Sequence, residues 1–164
     1  MNIEIKRVDY SDKAQAADLL HLLNDYAQDP MGGAQALSDN TMAGLIDALK
    51  SRSFMFSLIC YVDDEAAAFT NCIESFSTFK CKPLINIHDF AVKKTFRGLN
   101  LSQRLLAEVE LIAKEMGCCK LTLEVLEGNL AAKNAYLKAG FSAYELDPEM
   151  GSALFWEKPL LTEC

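Results

Sequence analysis

The chain runs to 164 residues, with 51% hydrophobic and 24% charged side chains and a formal net charge of −7. That length is enough for one domain with a sizeable core, and no apolar stretch approaches the roughly 20 residues of a membrane span. The acidic balance argues against a broad nucleic-acid partner, which needs a basic face, and is compatible with steering of a cationic ligand.

Ile3 and Ile5 alternate with Glu4 and Lys6, which predicts a first strand over residues 2–8. This segment lacks the apolar block of a signal peptide, so a cytoplasmic protein is expected. Ser11 or Asp12 can cap a helix reaching Ala27, with Ala16, Leu19, Leu20, Leu23 and Tyr26 at the helical period. Asp29, Pro30, Gly32 and Gly33 end it. Ser38 or Asp39 opens a second helix with Met42, Leu45, Ile46 and Leu49 on one face. Residues 54–62 and 67–76 read as a hairpin turning at Asp63 and Asp64, and a further strand spans 84–92. A helix over 101–116 buries Leu101, Leu105, Val109, Ile112 and Met116. A strand over 120–125 follows, then a helix over 130–139 capped by Asn129, then a final pair of strands at 141–145 and 152–158. The pattern predicts an α/β fold: a single domain with a mixed, mostly antiparallel sheet flanked by about four helices.

The six cysteines (Cys60, Cys72, Cys81, Cys118, Cys119 and Cys164) form no C-x-x-C pair, and only His21 and His88 are available to complete a metal site. No bound metal is expected, and the thiols read as reduced structural residues.

The turn between the strand at 84–92 and the helix at 101–116 carries the strongest chemical signal. Gly98 lets backbone approach a ligand closely. Asn100 tolerates left-handed geometry. Ser102 can cap the helix or donate to a phosphate, and the unpaired first-turn amides suit an anion. The residue-level alternative is an ordinary helix start. One helix further on, Tyr136 offers a hydroxyl as acid or hydrogen-bond donor, or else a half-buried core aromatic.

This stretch resembles the Gcn5-related N-acetyltransferase (GNAT) superfamily. The family's pyrophosphate loop, Gln/Arg-x-x-Gly-x-Gly/Ala, follows a strand ending in an apolar-apolar-Val run. Here Phe90, Ala91 and Val92 are followed five residues later by Arg97. The element N-x-x-A-x-x-x-Y-x-x-x-G-F is matched by Asn129, Ala132, Tyr136, Gly140 and Phe141. Asn100 and Ser102 depart from the loop pattern, standing where the family prefers small residues, chiefly glycine. The resemblance implies acetyl transfer from acetyl-CoA to a primary amine by direct attack, with CoA as co-product. It implies a pyrophosphate seat at Arg97, Gly98, Leu99, Asn100, Leu101, Ser102 and Gln103, with Asn129 and Tyr136 alongside. It further implies that pantetheine pairs with Phe90, Ala91 and Val92, where the fourth strand splays from the fifth. The amide of Phe90 would serve the thioester oxygen, and Tyr136 the departing thiolate.

An alkylammonium, with pKa near about 10.4, must lose a proton before it attacks. His88 and Glu124 are the candidate bases, with solvent as the third route. The strand around His88 resembles that of spermidine/spermine acetyltransferases, which carry a glutamate there. Glu124 stands twelve residues before Tyr136, as does the proposed base of the ribosomal-protein N-terminal alanine acetyltransferase. Alternation places His88 on one strand face with Asn86 and Phe90, and Asp89 on the other. In this family the acceptor, a small-molecule or peptide amine, is chosen by segments matching residues 26–40 and 75–83. Those segments offer Asp29 and Asp39 to a cation, with Asp25 just before them, and Phe76 and Phe79 as apolar walls. The competing reading is an acyl-CoA-binding module without turnover. No membrane or nucleic-acid partner is expected, and the apolar segment 141–158 predicts a homodimer.

Overall fold

A computed structural model describes residues 1–160; Cys164 therefore lies outside the described residues. Five strands form one sheet in the order β1 to β5: β1 (Ile3–Arg7), β2 (Met55–Val62), β3 (Glu65–Ser77), β4 (Lys82–Val92) and β5 (Leu121–Leu123). The first four pair antiparallel and β5 runs parallel to β4. Four α-helices accompany them: α1 (Lys13–Gln28), α2 (Asp39–Lys50), α3 (Leu101–Glu115) and α4 (Leu130–Lys138).

The sheet is covered on both faces, which explains the unbroken apolar run of β2. One face packs Ile59, Tyr61 and Phe69 against Leu19 and Leu22 of α1 and Leu49 of α2. The other packs Leu58, Cys60, Ile85 and Ile87 against Leu101, Leu105 and Val109 of α3 and Tyr136 of α4. No helix among the described residues is long and apolar enough to cross a membrane.

Local chemistry accounts for the helix starts. Asp12 accepts from the Ala14 and Gln15 amides, Ser38 from Thr41, and Asn129 from Ala132, each the capping geometry expected of its residue type. Among the described α-helices, α3 alone has no side-chain cap: Asn100 sits left-handed (φ 61°, ψ 23°) and Ser102 is already inside the helix. The cap predicted for Ser102 is therefore not made.

Two features of β4 shape the surface at its C-terminal end. Its pairing with β5 covers only Ile85↔Leu121 to Ile87↔Leu123, while β4 itself continues to Val92, so the two strands part. Its pairing with β3 slips by one residue: Asn71 faces Asp89 but Cys72 faces Ile87, leaving His88 as the extra residue of a β-bulge. The slip corrects the alternation predicted from sequence. Phe90 and Val92 fall on the α3 side with Ile85 and Ile87, and Ala91 on the α1 side.

The predicted final strand pair is absent. The chain after α4 makes one isolated bridge, Glu145↔Ser152, and a short 3₁₀ turn at Pro148–Met150. Leu146, Leu154, Phe155 and Trp156 stay exposed. An apolar run becomes a strand only where a neighbouring edge accepts its hydrogen bonds, and here the segment lies free of the β5 edge.

Candidate active site

The parting of β4 and β5 opens a cleft of about 1100 Å³ between the C-terminal end of α1, the end of β4, the turn into α3, and α4. Most residues singled out from sequence line it: Phe90, Ala91, Val92, Arg97, Gly98, Asn100, Leu101, Ser102, Asn129 and Tyr136. Leu99 packs against the core beneath. Gln103 points elsewhere, its Nε2 donating to the Ala135 carbonyl at 2.8 Å and tying α3 to α4.

The turn is built for close approach. Gly98 has φ +85° with no atom within 4 Å of where a Cβ would stand. With Asn100 giving no cap, the first amides of α3 carry no side-chain acceptor, and such amides favour an anion. Lys93, Lys94 and Arg97 line the same end of the cleft. Lys93 pairs with Glu65 at 3.4 Å, while Lys94 and Arg97 reach Asp29 at 3.5 and 3.8 Å. The Met31 amide holds the Asp29 carboxyl below its usual range, and Lys94 and Arg97 lower it further. Asp29 thus serves the turn at the end of α1 and faces the cationic loop. The next turn is tight: a Cβ on Gly32 would lie 2.0 Å from the Tyr26 carbonyl oxygen.

Tyr136 is buried on the cleft wall, its ring edge-on to Phe90 (6.0 Å between centroids) and to Phe141 (5.9 Å). Burial, aided by Tyr26, pushes its hydroxyl up to about 12. It is therefore protonated at neutral pH and available as a donor.

The two candidate bases sit differently. His88 is exposed at the bulge and Glu124 is exposed just past β5, where it accepts from Asn86 Nδ2 at 3.4 Å. Neither lines the cleft. Asp25 and Asp29 do, Asp39 does not, and Phe76 and Phe79 are exposed away from it.

Tyr26, read from sequence as a helix-face residue at the start of the acceptor-choosing segment 26–40, lines the cleft. Burial raises its hydroxyl pKa, and the charges of Asp89 and Asp29 raise it further. A buried polar row, Ser57 and Asn71, leads across the sheet to Asp89. The signal for it was present: a serine and an asparagine inside otherwise apolar strand runs. Among the described residues no group of three or more His, Cys, Asp or Glu side chains converges to hold a metal.

This is an α/β domain with a forked sheet, an anion-ready helix start and a buried tyrosine along one cleft. The model of the Acetyltransferase (GNAT) family matches residues 9–141, and the chain belongs to that family. No curated protein matches it. Among solved structures it is similar to an aminoglycoside acetyltransferase from an uncultured soil metagenomic sample, in complex with trehalose (14% identity, 96% of each chain covered, TM-score 0.77). It is also similar to AAC(6')-Iy in complex with the bisubstrate analogue CoA-S-monomethyl-acetylneamine (15% identity, 98% of this chain and 100% of that one, TM-score 0.76). A third is the ribosomal-protein-alanine N-acetyltransferase of Brucella melitensis biovar Abortus 2308 (15% identity, 99% and 100%, TM-score 0.67). At such identities the likeness is one of fold.

Proposed function

We propose that the protein moves an acetyl group from acetyl-CoA to a primary amine by direct attack in a ternary complex. One observation carries this: the end of β4, the uncapped start of α3 and the Tyr136 hydroxyl share one cleft. The residues fit the donor. The amides opening α3 and the cations Lys94 and Arg97 suit a pyrophosphate, and Phe90, Ala91 and Val92 border the fork where β5 no longer pairs with β4.

Acetyl-CoA supplies the activated acyl group. Attack on it places negative charge on the thioester oxygen, where the Phe90 amide is the proposed donor. Tyr136 is the donor to the leaving sulfur. With its hydroxyl at about 12, complete transfer to a thiolate of ordinary pKa, about 8.5, is uphill. Tyr136 therefore acts chiefly by hydrogen-bonding the charge as it develops. His88 or Glu124 would take the amine's proton, and their exposure outside the cleft walls routes that proton through solvent. The same exposure is what favours the second reading, an acyl-CoA-binding module without turnover.

Two compared structures carry aminoglycoside acetyltransferases or their ligands, so polycationic amino sugars are the first acceptors to try. The five described cysteines are free thiols, which supports a cytoplasmic location. Calorimetry with CoA, followed by thiol release from acetyl-CoA over amino sugars, polyamines and peptides, tests the proposal. CoA binding without thiol release from any amine selects the binding module; no CoA binding removes both.

A further inference from the structure

The sheet carries a continuous hydrogen-bonded row with one direction. Ser57, Asn71 and Asp89 are lateral partners on β2, β3 and β4. The Ser57 hydroxyl donates to Asn71 Oδ1 at 2.6 Å, and Asn71 Nδ2 donates to Asp89 Oδ2 at 2.9 Å. Because the only proton of the Ser57 hydroxyl is committed to Asn71, the Tyr10 hydroxyl at 2.8 Å must donate to Ser57 Oγ. Every donor in the row thus points toward Asp89. Ser57 and Asn71 are 0% and 3% exposed, in a layer otherwise filled by Val8, Leu19, Leu22 and Phe69. Burying two polar side chains there costs stability unless they are paired, and such a row strengthens its last bond cooperatively.

The row ends on Asp89 only because of the bulge. Without the extra residue, His88 would face Asn71. Asp89 is half-buried, its carbonyl accepts from the Thr70 hydroxyl at 2.8 Å, and its Oδ1 accepts no hydrogen bond from the described residues. Asp89 is not itself among the lining residues, but it immediately precedes the three of β4 that are, and its charge is felt at Tyr26 on the cleft wall. A carboxylate held through one oxygen by an aligned donor keeps its other oxygen free, which is the arrangement that receives a cation.

We propose that Asp89, held by the Tyr10–Ser57–Asn71 row, binds the ammonium of the acceptor and positions it beside the end of β4. This rests on the reading of the cleft as an N-acetyltransferase site. Asp89 is the contact residue; Tyr10, Ser57 and Asn71 are positioning residues.

The test uses isotope-labelled protein saturated with CoA, and spermidine as the cationic probe. The Asn71 side-chain amide resonance should shift saturably with spermidine and stay still with octanediol, an uncharged rod. Asp89→Asn should abolish the shift while CoA affinity by calorimetry is unchanged. Tyr10→Phe, outside the cleft lining and mild in volume, should weaken spermidine binding by about threefold through the loss of one aligned donor, which keeps the test decisive should Asp89→Asn fold poorly. For any amine that releases thiol, Asp89→Asn should raise the acceptor KM by at least about tenfold, with a smaller effect on kcat. A missing shift in the wild type, or a shift retained in Asp89→Asn, overturns the proposal. Failure of the acetyl-transfer reading looks different: no amine releases thiol, while the spermidine shift is still scored by itself.

Discussion

Tyr136 shows how a single side chain acquires its chemistry from its surroundings. The rings of Phe90 and Phe141 fix its edge, and its burial raises the hydroxyl to about 12. Tyr136→Phe preserves that packing and removes only the donor. CoA affinity should hold while kcat falls by about 10²-fold, the low end for losing one donor to a developing charge; single-turnover kinetics, which isolate chemistry from product release, provide the check. Removal of the amine's proton is tested at other residues. If His88 accepts it, the ascending limb of the kcat/KM profile with pH should vanish in His88→Ala and survive in Glu124→Gln. The reverse pattern assigns Glu124. Because groups on one proton path are non-additive, the double variant should be no worse than the poorer single. Full activity in all three leaves solvent as the acceptor.

At the scale of elements, the turn into α3 is where backbone conformation becomes binding. Gly98 at φ +85° lies in a region that a β-branched residue avoids. Open space surrounds it, so Gly98→Val acts through the backbone as well as through any ligand seated there. The core beneath, Leu101 and Leu105, is buried independently of that dihedral angle, so the fold should persist. CoA affinity should fall at least tenfold, about 1.4 kcal/mol, measured by calorimetry beside a circular-dichroism check of folding. Unchanged affinity in the folded variant removes the turn from the cradle. The bulge at His88 works on the same scale. By adding one residue to β4 it exchanges which side chain meets Asn71 and sends Phe90 and Val92 to the α3-side core and Ala91 to the α1-side core.

For the whole molecule, the segment after α4 is the open end of the design. Tyr144, Leu146, Leu154, Phe155 and Trp156 are all more than half exposed, and β5 ends the sheet. Exposed large apolar side chains, and an unpaired outer edge on β5, each invite association. A homodimer built through residues 141–158 is therefore expected. Light scattering at tens of micromolar, roughly ten times a typical ~1 µM affinity, should give twice the 18.2 kDa chain mass. A monomer at that concentration counts against it.

Much of the layout was legible in sequence because its causes are local. Helical spacing of Leu101, Leu105 and Val109, caps at Asp12, Ser38 and Asn129, and a glycine at the turn into α3 each act within a few residues. The cleft-lining residues of β4, the turn and Tyr136 were legible for the same reason, as motifs of fixed spacing. The final strands failed because the apolar run at residues 153–156 is only a local side-chain pattern, whereas a strand needs a partner edge that no local pattern supplies. Ser38, not Asp39, and Asn100 uncapped rather than Ser102 capping, were decided by backbone angles at each helix start. Which face Asp89 takes was beyond sequence altogether. A one-residue slip between β3 and β4 reverses every alternation argument past it, and that slip is set by long-range pairing of Asn71 with Asp89 and Cys72 with Ile87. The sequence by itself determined the elements and the chemistry available to them; the tertiary structure decided which side chains meet, because register is a property of two strands and never of one.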